Sequence, residues 1–157
     1  MTRSTFDQRM LELARFVADK PLDQALAQEL NTEYAAGSEA FQELSGLCRQ
    51  GLADGWLCQH EAGGIRYGRV IKPSPEMHGF SVDVVLMKDV VGPHHRHPNG
   101  EIDLIMPTRG DAQFDGHGAG WMVYGPDTQH SPTVTQGEAL VLYLMPGGAI
   151  EFTGAAA

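Results

Sequence analysis

The chain has 157 residues, 42% hydrophobic and 20% charged, a composition that excludes a disordered or fibrous protein and gives room for one compact core but not for two large domains. Eleven Lys and Arg against twenty Asp and Glu leave a net charge of −9, a field that repels phosphate backbones and anionic lipid, so neither nucleic acid nor a membrane is an expected partner. Cys48 and Cys58 form no CxxC pair and are expected as reduced, packed thiols. Residues 1–20 are broken by Arg3, Asp7, Arg9, Glu12, Arg15, Asp19 and Lys20, and no later apolar run reaches membrane-spanning length, so the cytoplasm is the expected location.

From Thr5 to about Trp56 the apolar residues recur at spacings of three and four: Phe6, Met10, Leu13, Phe16 and Val17, then Leu22, Leu26, Leu30 and Tyr34. Pro21 and Asp23 punctuate these two stripes, and Gly37-Ser38 opens a third helix carrying Phe41, Leu44 and Leu47, with Ser38 as its N-cap. Three helices ending near Gly51 to Gly55 are predicted, within an N-terminal helical segment over residues 1–58. Their apolar stripes need a partner, either the rest of the chain or a second copy in a homodimer.

After Gly64 the alphabet changes to short β-branched and aromatic runs separated by Gly, Pro, Asn and Asp. Strands are predicted at Ile65–Ile71, Phe80–Met87, Glu101–Met106, Ala112–Phe114, Gly120–Tyr124, Ser131–Thr135, Ala139–Leu144 and Ile150–Phe152, with a turn at Arg109-Gly110-Asp111 among others. Strands this short and dense imply a small sandwich or barrel over residues 64–153. Ala155-Ala156-Ala157 reads as a frayed end.

Within this β region, Gly92-Pro93-His94-His95-Arg96-His97-Pro98-Asn99-Gly100-Glu101 holds three of the seven histidines. Residues two apart on a strand share a face, so His95 and His97 point to one side while His94 and Arg96 point to the other. The Pro-Asn-Gly turn can fold Glu101 back toward the imidazole pair. Two imidazoles and a carboxylate suit Fe, Mn, Ni, Co or Zn, with positions left for water or substrate. His130 opens another strand after Gly125-Pro126-Asp127-Thr128-Gln129, whereas His117, in Gly116-His117-Gly118, is expected in solvent.

His-x-His-x-x-x-Glu in this setting resembles the first cupin motif, and Pro126-Asp127-Thr128-Gln129-His130 resembles a degenerate second one, in which Thr128 replaces the usual Gly and the Pro-to-His spacing is one residue short. The resemblance implies a mainly β, single-domain cupin, a double-stranded β-helix or jelly-roll barrel with the helical segment in front. It also implies His95, His97, Glu101 and His130 as ligands of one divalent metal ion. The whole layout, with GPHHRHPNGEIDLIMP and a closing YLMPGGAIEF, is similar to the 4-hydroxylaminobenzoate lyase family. That family turns 4-hydroxylaminobenzoate and water into 3,4-dihydroxybenzoate and ammonia, which balances without nicotinamide, flavin or O₂. No dinucleotide fingerprint is present, since Gly116-His117-Gly118-Ala119-Gly120 follows no βαβ unit.

A small aromatic carboxylate entering an acidic protein needs a local cation. Tyr67 and Arg69 share the face of Ile65 and Ile71 and are the expected substrate-binding pair, with Arg66 opposite. Asp103 lies two residues beyond Glu101 on the same face, either as an acid or base beside Glu101 or as a partner orienting a ligand imidazole. Trp121 and Tyr124 fall on opposite sides of their strand. Two other functions use the same architecture: a non-haem metal dioxygenase acting on a small aromatic acid or catechol, and a non-catalytic ligand-binding cupin.

Overall fold

The computed structural model describes residues 2–154, so the predicted frayed end at 155–157 lies outside the described residues. The three predicted helices are α1 (Thr2–Val17), α2 (Gln24–Glu33) and α3 (Glu39–Asp54). Local chemistry sets their ends: Asp23 accepts from Leu26 N at 3.0 Å to start α2, and Ser38 accepts from Phe41 N at 3.2 Å to start α3. Helix α3 stops at Gly55, whose φ of +84° is a left-handed conformation that favours glycine.

The strands are β1 (His60–Ala62), β2 (Ile65–Ile71), β3 (Phe80–Val91), β4 (His95–His97), β5 (Glu101–Phe114), β6 (Gly120–Tyr124), β7 (Thr128–His130), β8 (Thr133–Pro146) and β9 (Glu151–Phe152). They form a six-stranded sheet in the order β1-β2-β3-β8-β5-β6 and a three-stranded sheet in the order β7-β4-β9, with every pairing antiparallel. The fold is mainly β, with three helices and two antiparallel sheets, as expected.

Several strand boundaries differ from expectation. Glu101–Met106 and Ala112–Phe114 are one strand, β5, and the two runs Ser131–Thr135 and Ala139–Leu144 are joined in β8, which starts at Thr133. The supposed turn Arg109-Gly110-Asp111 pairs directly with the other glycine-bearing segment: Gly110 lies opposite Gly137, where the ladder register shifts. A Cβ at Gly137 would stand 2.0 Å from the Arg109 carbonyl, so the two glycines let the backbones cross at an irregularity rather than reverse. Strand β3 runs four residues past its predicted end to Val91, and β1, entirely exposed, had no apolar pattern to announce it.

Alternation along β3, β5 and β8 divides the large sheet into two faces. Val82, Val84, Ile102, Leu104, Leu140, Leu142 and Leu144 join Leu13, Leu26, Leu30 and Leu44 of the helices in one core. Ile105, Val141, Met145 and Met87 belong to a second cluster on the other face. Those central strands are therefore buried on both sides, the helices covering one face and the small sheet closing over the other. Helix α2 is also tied to the edge of β6, where Asn31 Nδ2 donates to the Trp121 carbonyl and Trp121 N donates to Asn31 Oδ1, an amide standing in for a missing strand. The helices thus dock on the sheet through a continuous apolar layer.

Candidate metal centre

His95 and His97 leave β4 on the same side and are buried, as the two-residue period requires. Pairing of β4 with β7 sets His130 directly opposite His95. Glu101 begins β5 on the inner face of the large sheet, completely buried. The ligand atoms of these four side chains all lie within 4.8 Å of one another. Nε2 of His95 is 2.9 Å from Nε2 of His97 and 3.1 Å from Nε2 of His130, while Glu101 Oε2 is 3.2 Å from His97 Nε2 and 3.9 Å from His130 Nε2.

The outer nitrogens explain why the inner ones converge. Nδ1 of His95 faces the Pro93 carbonyl at 3.2 Å, and Nδ1 of His130 faces Asp115 Oδ2 at 2.6 Å. His97 Nδ1 lies 3.0 Å from Thr128 Oγ1, whose own proton goes to the Gly125 carbonyl at 2.7 Å, so this hydroxyl accepts from the ring. Each Nδ1 is therefore placed to carry hydrogen, which leaves Nε2 as the inward-facing atom able to bind a cation. Burial, the largest influence, and the neighbouring imidazoles push the His95 pKa down to about 4, which keeps that ring neutral.

Three bare nitrogens and a buried carboxylate without hydrogen-bond partners repel one another unless a cation lies between them. Donors ~2.1 Å from one ion and at about a right angle stand ~3 Å apart, which is the spacing seen here. The four residues fit one divalent ion, and their mixed imidazole and carboxylate character suits a first-row transition metal.

Support for the ring orientation comes from a residue the sequence did not single out. Asp115 accepts from His130 and from the Tyr124 hydroxyl, and its other oxygen accepts from Thr133 N at 2.9 Å. Burial alone would raise its carboxyl, but His130 and Tyr124 outweigh that effect and hold it below its ordinary value. Tyr124 is the inward member of its pair, its ring 4.5 Å from that of His130, whereas Trp121 faces the helices and donates its indole hydrogen to the Tyr34 carbonyl. Asp115 precedes a Gly-rich turn, so turn composition concealed it; only the spatial approach to His130 shows its role.

A cavity of about 370 Å³ opens beside His95, with Ile65, Val85, Met87, Ile150 and Phe152 among its apolar walls. Tyr67 and Arg69 both line it, whereas Arg66 does not. Arg69 is already partnered: Nε lies 2.8 Å from Asp83 Oδ1, and Nη2 donates to the Gly148 carbonyl at 3.1 Å. Asp83 and Tyr143, also in the lining, were not anticipated. Strand register places Arg69 opposite Asp83, Asp83 opposite Tyr143, and Tyr143 opposite Asp103, so four polar residues form one row across β2, β3, β8 and β5.

Asp103 is fully buried and neither oxygen has a hydrogen-bond partner. Burial first, and then the nearby Glu101 carboxylate, raise its carboxyl well above the ordinary value, so Glu101 is the more acidic member of the pair. The proton of this pair sits on Asp103. The remaining histidines stand apart: His94 contacts Thr153, and His60, His78 and His117 are exposed. Arg96 turns outward to Asp127 and Glu151, tying the strands of the small sheet.

The 4-hydroxylaminobenzoate lyase family model matches residues 8–152. The chain belongs to that family. A 4-hydroxylaminobenzoate lyase of Nocardioides sp. (strain LMS-CY) is 34% identical, the match covering 81% of this chain and 80% of that protein. A protein of the same name from Pseudomonas putida is 31% identical over 87% of each chain. Among solved structures, a cupin-like protein from Thermotoga maritima is 18% identical, with a TM-score of 0.38 over 61% of this chain and 80% of that one. Among the described residues no helix is long and apolar enough to cross a membrane.

Proposed function

We propose that the enzyme converts 4-hydroxylaminobenzoate and water into 3,4-dihydroxybenzoate and ammonia at the His95, His97, Glu101 and His130 cluster holding one divalent ion. The observation that carries this reading is the set of three inward Nε2 lone pairs, orientated by Pro93, Thr128 and Asp115, beside a cavity lined by Arg69. A divalent ion bound there supplies Lewis acidity where the N–O bond must break.

The chain's own residues account for the rest of the recognition. Asp83 engages Nε of Arg69 and the Gly148 carbonyl engages Nη2, which leaves Nη1 as the donor available to the substrate carboxylate. Tyr67, 42% exposed, stands at the rim beside it, and the apolar walls receive the ring. From Arg69 to Asp103 the polar row crosses three strand spacings, ~14 Å, so a para-substituted benzoate with its carboxylate at Arg69 extends its nitrogen toward the metal end. Asp103 keeps a proton in the buried wall beside Glu101.

N–O cleavage releases the hydroxyl oxygen as water, one water adds to the adjacent ring carbon, and a second hydrolyses the imine to release ammonia. The sum consumes one water and no oxidant. Metal-loaded protein under argon should therefore release ammonia and 3,4-dihydroxybenzoate in equal amounts. No product under argon, together with ring oxidation of a catechol in air, would establish the dioxygenase reading instead.

A further inference from the structure

Tyr143 is a phenol in a wall otherwise suited to an apolar ring. Strand β8 reads Ala139-Leu140-Val141-Leu142-Tyr143-Leu144-Met145, and its neighbours on the inner face are Val141 and Met145. A phenylalanine would pack equally well there, since the Tyr143 ring lies 6.2 Å from that of Phe114. The residue is 5% exposed, and what remains exposed is in the cavity. Buried phenols ordinarily find a partner, because an unmade hydrogen bond costs about 1–3 kcal/mol. Tyr143 lies opposite both Asp83 and Asp103, yet its hydroxyl bonds to neither.

We infer that Tyr143 is a further catalytic residue, its hydroxyl donating a hydrogen bond to the hydroxylamino oxygen of the bound substrate. The inference rests on the proposed lyase reaction. In the row from Arg69 to Asp103, Tyr143 is one strand from the metal-side end and two from the arginine, which puts its hydroxyl toward the nitrogen end of a substrate held at Arg69. A phenol is a neutral donor at ordinary pH. As the N–O bond breaks, the electron pair departs with oxygen, and a donor aimed at that oxygen gains strength as its charge grows. The oxygen leaves as water after taking up one proton from solvent, which the ring gives back when it loses hydrogen at the hydroxylated carbon, and Tyr143 stabilises that departure without changing the overall stoichiometry.

The test compares wild type with Tyr143→Phe in the metal-loaded enzyme, using two unreactive ligands. In 4-(hydroxymethyl)benzoate a methylene replaces the nitrogen and the oxygen is kept; in 4-methylbenzoate that oxygen is absent. Calorimetry should show Tyr143→Phe weakening the hydroxymethyl ligand by about threefold to tenfold, the worth of one neutral hydrogen bond, while 4-methylbenzoate binds as before. Turnover should fall in kcat, with KM rising by no more than the same threefold to tenfold, and metal content and melting temperature should match wild type. Equal weakening of both ligands, or of neither, overturns the assignment of Tyr143. Wild-type enzyme that binds both ligands but releases no ammonia from 4-hydroxylaminobenzoate overturns the lyase reaction on which it rests.

Discussion

The two faces of the six-stranded sheet are made by alternate residues of the same strands, and buried acids interrupt the apolar packing on one of them. Toward the helices, β5 presents Ile102, Leu104 and Met106, and β8 presents Leu140, Leu142 and Leu144. Toward the small sheet the intervening residues include Glu101, Asp103 and Tyr143, joined by Asp83 from β3. One face is uniformly apolar and stabilises the fold; the other carries buried groups that have no protein partners. Polar burial without pairing is destabilising, so the outer face and its helical cover must offset what the inner face costs. Parity along the strand thus separates stability from function.

Substitutions on each face should break one property and leave the other. The largest effect is expected for His97→Ala, which removes one of the four clustered side chains proposed to hold the ion: metal content and turnover should drop to background while far-UV circular dichroism stays that of a folded chain. Leu104→Ala, on the helix side, should lower unfolding free energy by about 2–5 kcal/mol in urea while the metal bound per folded chain stays at the wild-type level. A smaller change is expected for Asp115→Asn, which weakens the grip on His130 without touching a ligand. Metal affinity, measured by competition with a chelator, should fall about 10–100-fold.

Cys48 and Cys58 belong to the helix-side core and sharpen the contrast further. Burial raises their thiols to about 12 and about 11, so at pH 8 the thiolate is scarce and the sulfurs are enclosed. Because both pKa values are raised, reactivity should stay low until pH approaches those values. Native protein at pH 8 should react with a thiol-specific reagent only slowly, and both thiols should react at once in denaturant. Fast native labelling would mean that the helix layer opens readily.

Much of this was legible in the sequence because the relevant signals are local. Helical spacing located α1 to α3, Ser38 announced its own cap, and the His-x-His-x-x-x-Glu run combined strand parity with a turn. The long strands were harder: Gly110 and Gly137 look like turn residues, and nothing in a linear reading shows that they face each other across a ladder. Strand β1 is exposed throughout and carries no alternation. Asp115, Asp83 and Tyr143 reach the site only through tertiary contact or cross-strand register. Tyr143 is hidden in an apolar run, where a phenol looks like core. Sequence periodicity can tell which face a residue takes, but not which distant strand lies beside it.

The most direct test of the central claim is a metal titration of stripped protein under argon, with ammonia release from 4-hydroxylaminobenzoate as the readout. Activity should rise in proportion to added divalent ion and level off at about one ion per chain, and His95→Ala should stay flat throughout. Full activity in the stripped protein, or an unchanged titration in the His95 variant, would contradict the claim that these inward-facing residues hold the metal on which the reaction depends.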